Sequence, residues 1–435
     1  MWVTEAIPYF CTGMLIPVLV VLLRLAVDPV SGEILPLKEA SHYVAGHMFN
    51  HTTWLILFGF AVSAAFCKAQ FELRIAEYFQ TRLGHNPSHF ILGVMLLGLF
   101  LSMWLNNHTA PILCVSFLAP IMQDFGKDSR FNRALMLGLT FGCNFGGMVT
   151  PIASLHNVLA VSALAAVGIE VSFGSWMVVA VPFSLVCTVL CWLYLLRVER
   201  PDDVDEIPVV IYDKQPLSTL HYIVLASTVL SVAGLAFMPL VSRAIGGMPV
   251  LSLIYLVTMF SCNILTAVDF NSFNWHLLVL IGGGAILGDV IKSSHLLEIL
   301  ARGILDVLAG PPFLMYAQVV LVILVVTSCI SHTVGAIILM PLLVQIGLKL
   351  EIPVLLTLSC ALAISGAMAL PFSSFPNLNA LTVRAENGSP YLTPQLIIKH
   401  GVPLTLLSYL LIITIGYALI VVFLPTGLSD VLVGA

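Results

Sequence analysis

Apolar runs about as long as a bilayer is thick recur along the whole chain. They fall at roughly 6–27, 52–69, 90–124, 134–168, 175–197, 219–240, 249–268, 275–291, 312–347, 353–383 and 402–424. A helix needs about 20 such residues to cross the hydrocarbon layer. Four of the runs turn polar in the middle. The run 90–124 is interrupted at Asn106-Asn107-His108-Thr109 and 134–168 between Gly146 and Asn157, while 312–347 breaks at Ser331-His332-Thr333 and 353–383 between Pro371 and Asn377. None shows the strict alternation of an outer-membrane strand, so the chain reads as an all-α polytopic membrane protein. Composition agrees: 59% of the residues are hydrophobic and 9% charged. Soluble domains carry about 25% charged residues. The charges here can decorate loops but cannot cover a water-soluble particle.

Several function classes drop out on residue content. The formal charge is −5, with no basic domain, which argues against nucleic acid as a partner. Nine cysteines stand singly in apolar runs, with no paired spacing for a metal site or a disulfide framework. Enzyme chemistry is poorly supplied. Ser331 and His332 are adjacent and rarely aim at a common proton, and no carboxylate stands near to orient the ring. Asp289 lacks the second intramembrane Asp that an aspartyl protease requires. The first apolar stretch, Ala6 to Leu23, is too long for a cleaved signal peptide and reads as a span.

Sliding the second half over the first exposes an internal repeat. Gly146, Met148, Pro151, Ser154, Asn157 and Ala160 recur as Gly366, Met368, Pro371, Ser374, Asn377 and Ala380 at one constant offset. Identities on Gly, Pro, Ser and Asn do not follow from shared Leu and Val richness. The polar connector from Glu199 to Gln215 separates the halves. If the two interrupted runs are hairpins that enter and leave on one side, eleven Lys and Arg fall on the N-terminal side and six opposite. That bias predicts a cytoplasmic N-terminus, and it makes the two halves inverted repeats, each with a re-entrant hairpin and a broken helix.

The breaks are the candidate sites. Backbone leaving helical geometry inside a membrane must face a cavity, an ion, water or protein. The tips supply Asn106, Asn107, His108 and Thr109 in one half and Ser331, His332 and Thr333 in the other; the second pair of breaks supplies Ser154, Asn157, Ser374 and Asn377. A returning half-helix presents free N–H groups to an anion, whereas Asn and Ser oxygens suit a small cation. His108 and His332 can serve as neutral hydrogen-bonding groups, as charged ligands, or as partners of backbone alone.

These residues resemble the divalent anion/sodium symporter family. The resemblance rests on the opening Trp2-Val3-Thr4-Glu5-Ala6-Ile7-Pro8, the two polar tips, and the breaks ending in Asn157 and Asn377. Met103-Trp104, Ala110-Pro111-Ile112-Leu113-Cys114, Cys143-Asn144-Phe145-Gly146-Gly147-Met148 and Ser331-His332-Thr333-Val334 are most similar to its fungal and protist low-affinity phosphate-transporting branch. The likeness implies a sodium-coupled secondary transporter of inorganic phosphate, a homodimer working by an elevator motion. It implies eleven spans plus two re-entrant hairpins. Scaffold helices would occupy 1–86 and 219–310, transport-domain hairpins and broken helices 87–198 and 311–435, and a cytoplasmic linker 199–218. The implied anion contacts are Asn107, His108, Thr109, Ser154, Asn157, Ser331, His332, Thr333, Ser374 and Asn377; the implied sodium positions are Asn106, Asn107, Gly146, Ser331 and Gly366. Sodium is the coupling ion and no other cofactor is expected. The family's first Ser-Asn-Thr tip aligns either with Asn106-Asn107-His108 or with Asn107-His108-Thr109; its second becomes Ser331-His332-Thr333, with His in place of Asn. The branch carries a soluble regulatory SPX domain ahead of its membrane helices, whereas this chain opens at the Trp-Val-Thr-Glu-Ala-Ile-Pro motif, so it reads either as a fragment or as a protein without that control. The expected location is the plasma membrane or the membrane of a vacuole-like acidic organelle. The alternatives are a sulfate or dicarboxylate carrier, a proton-coupled one, or an anion channel or phosphate sensor.

Overall fold

Helix starts along this chain are marked by prolines and small polar caps. Asn86 precedes Pro87 and accepts the N–H groups of Ser88 and His89, Ser129 accepts from Asn132, Ser172 from Ser175, and Thr393 from Leu396. A first-turn proline loses no hydrogen bond, and a polar cap satisfies donors that the helix leaves unpaired. The computed structural model describes residues 9–28, 32–49, 51–71, 86–105, 109–126, 129–207, 218–293, 310–330, 332–384 and 389–424, with a few isolated positions besides. The first half comprises α1 (Tyr9–Leu22), α2 (Leu37–Met48), α3 (His51–Lys68), α4 (Pro87–Ser102), α5 (Thr109–Phe125), α6 (Arg130–Val149), α7 (Leu155–Ala165) and α8 (Phe173–Val198). The second comprises α9 (Thr219–Ala236), α10 (Met238–Ile245), α11 (Met248–Ser261), α12 (Ala267–Asn271), α13 (Trp275–Ser293), α14 (Pro312–Cys329), α15 (His332–Lys349), α16 (Pro353–Gly366), α17 (Phe375–Thr382) and α18 (Pro394–Leu411). A π-helical turn, Ile412–Gly416, joins α18 to α19 (Tyr417–Phe423).

Among the described residues there is no strand beyond isolated bridges. Among the described residues five helical stretches are long and apolar enough to cross a membrane: Leu37–Lys68, Phe173–Val198, Thr219–Ala236, Pro312–Cys329 and Pro394–Phe423. Shorter apolar helices, among them α4, α7 and α16, flank the interruptions.

The helices sort by contact. One group joins α1, α2 and α13 with α3, α9 and α11; the other contains α4 to α8 and α14 to α19. Within the second group the short helices exchange partners: α7 packs on α15 and α16 of the other half, and α17 packs on α5 and α6. Close approach of α4 to α6 depends on glycine, since a Cβ at Gly142 would lie 2.6 Å from the Met95 carbonyl oxygen.

At one end of α8 the buried Glu199 gathers two cationic side chains and a histidine. Its carboxylate meets Lys399 Nζ at 3.0 Å, His400 Nε2 at 3.1 Å and Arg133 Nε at 3.6 Å. Burial alone would raise the Glu199 pKa, but the Lys399 hydrogen bond and the charges of Lys399, His400 and Arg133 outweigh it and hold it below the ordinary carboxylate range. A depressed folded pKa stabilises the fold above the unfolded value and is lost as pH falls through the folded one. Glu199→Gln should therefore lower thermal stability in detergent at neutral pH, by about 1–3 kcal/mol. The gap between variant and wild type should close in acid, and a gap that persists there refutes the electrostatic account. Asp203 caps α6 from outside the helix, accepting Arg130 N–H at 2.8 Å and Phe131 N–H at 3.1 Å.

Candidate functional site

Between α6 and α7 the chain leaves helical geometry at 150–154, and between α16 and α17 it does so at 367–374. Pro151 and Pro371 sit in these breaks, where a proline inside a helix would remove a hydrogen bond and clash with the preceding turn. The freed carbonyls need donors. Asn157 Nδ2 donates to Gly147 O at 2.7 Å and to Thr150 O at 2.8 Å. Asn377 Nδ2 does the same work at the second break, donating to Met368 O and Leu370 O, both at 3.1 Å. Asn377 Oδ1 also accepts from Asn144 Nδ2 at 3.0 Å. An indole donor and a hydroxyl acceptor add support: Trp176 Nε1 donates to Met148 O at 2.9 Å, and Thr405 Oγ1 accepts Met368 N–H at 3.1 Å.

A cavity of about 80 Å³ opens beside these breaks. The first turns of three helices reach it: Ser154, Leu155 and His156 at the start of α7, His332 and Thr333 at the start of α15, and Ser374 and Phe375 at the start of α17. Ile56, Gly59 and Phe60 of α3, with Asn274 ahead of α13, close it from the other packing group, and Trp104 adds an aromatic wall. Among the described residues no Asp, Glu, Lys or Arg lines it. Ser374 is the N-cap of α17: its Oγ accepts Asn377 N–H at 3.4 Å, which leaves the hydroxyl proton available as a donor. His332 N–H donates to Ser373 O at 3.1 Å and His332 Nε2 meets Ala367 O at 2.9 Å, tying the start of α15 to the second break. His156 Nε2 is hydrogen-bonded to Ser365 Oγ, and its ring stands edge-on to that of His332 with centroids 6.0 Å apart.

The structure thus brings Ser154, His332, Thr333 and Ser374 to one cavity. Asn157 and Asn377 are fully buried and stand behind it, their amides holding the breaks. Gly146 lies within α6 against Leu99, and Gly366 ends α16 against Ser408. Asn106, Asn107, His108 and Ser331 lie outside the described residues, as does the side chain of Thr109. Sequence reasoning passed over two participants. His156 stands where the repeat has Pro376, and a lone His inside a break was the available signal; Ser365 offered none, being one hydroxyl in an apolar run. Among the described residues no cluster of three or more His, Cys, Asp and Glu could hold a metal ion. Three convergent helix N-termini with hydroxyl donors, and no side-chain charge, form a surface suited to an anion.

A helical bundle with such breaks and five stretches able to cross a bilayer defines a polytopic integral membrane protein. The chain belongs to the family of the sodium:sulfate symporter transmembrane region, which matches residues 1–424. It is 31% identical over 427 residues to an inorganic phosphate transporter of Saccharomyces cerevisiae, covering 96% of this chain and 45% of the relative. It is 32% identical over 422 residues to an uncharacterised transporter of Schizosaccharomyces pombe, covering 96% and 48%. The chain therefore spans about half the length of these curated relatives. A sodium-dependent dicarboxylate transporter of Staphylococcus saprophyticus is 24% identical over 452 residues, covering 96% of this chain and 83% of its own. The fold is shared with a transporter from Alcanivorax borkumensis at TM-score 0.65 and 14% identity, over 96% of this chain and 99% of that one.

Proposed function

We infer that this protein is a sodium-coupled secondary active transporter of inorganic phosphate. The anion sits in the cavity bounded by the starts of α7, α15 and α17. The observation that carries this is the convergence of those three N-termini, with Ser154, Thr333 and Ser374, on one uncharged cavity. Backbone N–H groups and hydroxyls replace the hydration of an oxyanion there, and a cation beside it lowers the cost of burying a double negative charge. Sodium would bind near Asn106, Asn107, Gly146, Ser331 and Gly366, where the breaks leave oxygen ligands. The two helix groups that meet at the cavity suit a motion of one against the other in a homodimer, exposing the site to each side in turn.

Labelled phosphate uptake into proteoliposomes, under an inward sodium gradient, an inward proton gradient or neither, tests the reading. Uptake that needs sodium is expected; uptake indifferent to every gradient would mean a channel and refute it. Ser374→Ala and Thr333→Ala should each weaken uptake about tenfold or more at normal abundance, and unchanged uptake by both would remove the proposed site. A sulfate or dicarboxylate carrier is the second reading, favoured by the family description and the 83% coverage of the staphylococcal dicarboxylate transporter. Uptake of succinate or sulfate with none of phosphate would select it.

A further inference from the structure

We propose that His332 is a specificity residue whose Nδ1 lone pair selects a tetrahedral oxyanion that still carries a hydroxyl, so that hydrogen phosphate is admitted and sulfate refused. This rests on the phosphate reading above. A backbone carbonyl can only accept, so the 2.9 Å contact between His332 Nε2 and Ala367 O places the proton on Nε2. In a neutral imidazole the other nitrogen is then an acceptor. His332 is buried, its ring lines the cavity, and Nδ1 has no hydrogen-bond partner among the described residues. The remaining polar atom that His332 offers to an occupant of the cavity is therefore a lone pair.

A second observation keeps the ring neutral. Among the described residues no carboxylate lines the cavity, and the ring of His156, centred 6.0 Å away, is another imidazole. An imidazolium would have no protein counter-charge there. The same wall holds donors: the Ser374 hydroxyl, whose oxygen already caps α17, the Thr333 hydroxyl and the helix N-termini. Several donors beside an acceptor at His332 match an anion with several bare oxygens and one hydroxyl. Sulfate, fully deprotonated at neutral pH, would set an oxygen lone pair against Nδ1. A buried acceptor left facing an acceptor is a strong discriminator, because sites built to hydrogen-bond a substrate OH reject analogues lacking it.

The test is competition against labelled phosphate uptake in proteoliposomes holding the full chain. The competitors are arsenate, sulfate and monofluorophosphate, the last having the double charge and tetrahedral shape of hydrogen phosphate but fluorine in place of the hydroxyl. Arsenate should compete as well as phosphate itself, and sulfate and monofluorophosphate at least about tenfold more weakly. In His332→Asn, which can turn an N–H toward the anion, that ratio should shrink toward one, whereas His332→Gln, whose amide can still donate to Ala367 O while its oxygen accepts, should keep most of it. Equal competition by monofluorophosphate and phosphate in wild type would show the ring donating as an imidazolium and overturn the proposal, while the phosphate reading stands. A ratio unchanged in folded His332→Asn would overturn it too. Where neither variant folds, the wild-type comparison with monofluorophosphate decides. Wild type that moves succinate and no phosphate would defeat the reading itself.

Discussion

Gly146→Ala should cost the protein about 3 kcal/mol, the upper end for forcing extra volume into a packed interface. A Cβ at this position would lie 2.4 Å from the Leu99 carbonyl oxygen and 2.8 Å from Leu99 Cα, with Ser102 Cβ at 2.7 Å. Two of these neighbours are backbone, so relief requires α4 and α6 to move apart. Gly142 and Gly138 lie one and two turns before Gly146 on the same helix and also face α4. In lipid, where apolar tails compete equally for apolar side chains, such small residues are what allow helices to approach and pack. The same separation would pull Ser102 Oγ from the Cys143 carbonyl, 2.8 Å away, and would disturb the first break just beyond. Thermal stability in detergent and folded yield should both fall. Gly284→Ala is the control: nothing lies within 4 Å of its added Cβ. Its stability should be unchanged or slightly raised, and equal losses in the two variants would contradict the close-packing account.

Asn377→Ala has the second large effect. Its side chain donates to Met368 O and Leu370 O and accepts from Asn144 Nδ2; the bonds to Met368 O and Asn144 are fully buried, whereas Leu370 O is only partly so. Each buried group left unpaired costs about 1–3 kcal/mol. The two fully buried groups together cost about 2–6 kcal/mol before relaxation, applied where α17 begins and Ser374 is held. Uptake and folded yield should fall together. Asn157→Ala loses two hydrogen bonds rather than three and should be milder. A double-mutant cycle between Asn144 and Asn377 isolates their shared bond, and a coupling indistinguishable from zero would mean that it contributes nothing to the break.

The breaks are legible in the sequence because they rest on local chemistry. Pro151 and Pro371 cannot continue a helix, and an Asn six residues after each proline has a side chain able to bind the carbonyls that the break frees. Helix length and membrane character follow from apolar runs for the same reason. What no run of residues discloses is which halves meet. The exchange that sets α7 on α15 and α16, and α17 on α5 and α6, is a tertiary arrangement. It alone brings His156 to Ser365 across 209 positions and to His332. Asn157 and Asn377 show the converse. Their polar side chains at a break mark them as ligands, yet the strongest demand on each amide comes from its own backbone. The cavity wall from α3 is invisible for a third reason: Ile56, Gly59 and Phe60 are indistinguishable from any other lipid-compatible residues until the packing is known.

The most direct measurement locates the anion. Crystals grown with arsenate, with diffraction data collected at the arsenic absorption edge, give an anomalous peak wherever a phosphate-like anion binds. The account predicts a single strong peak in the cavity, within hydrogen-bonding distance of Thr333, Ser374 and His332 Nδ1. A strong peak elsewhere, with this cavity empty at saturating arsenate, would contradict it.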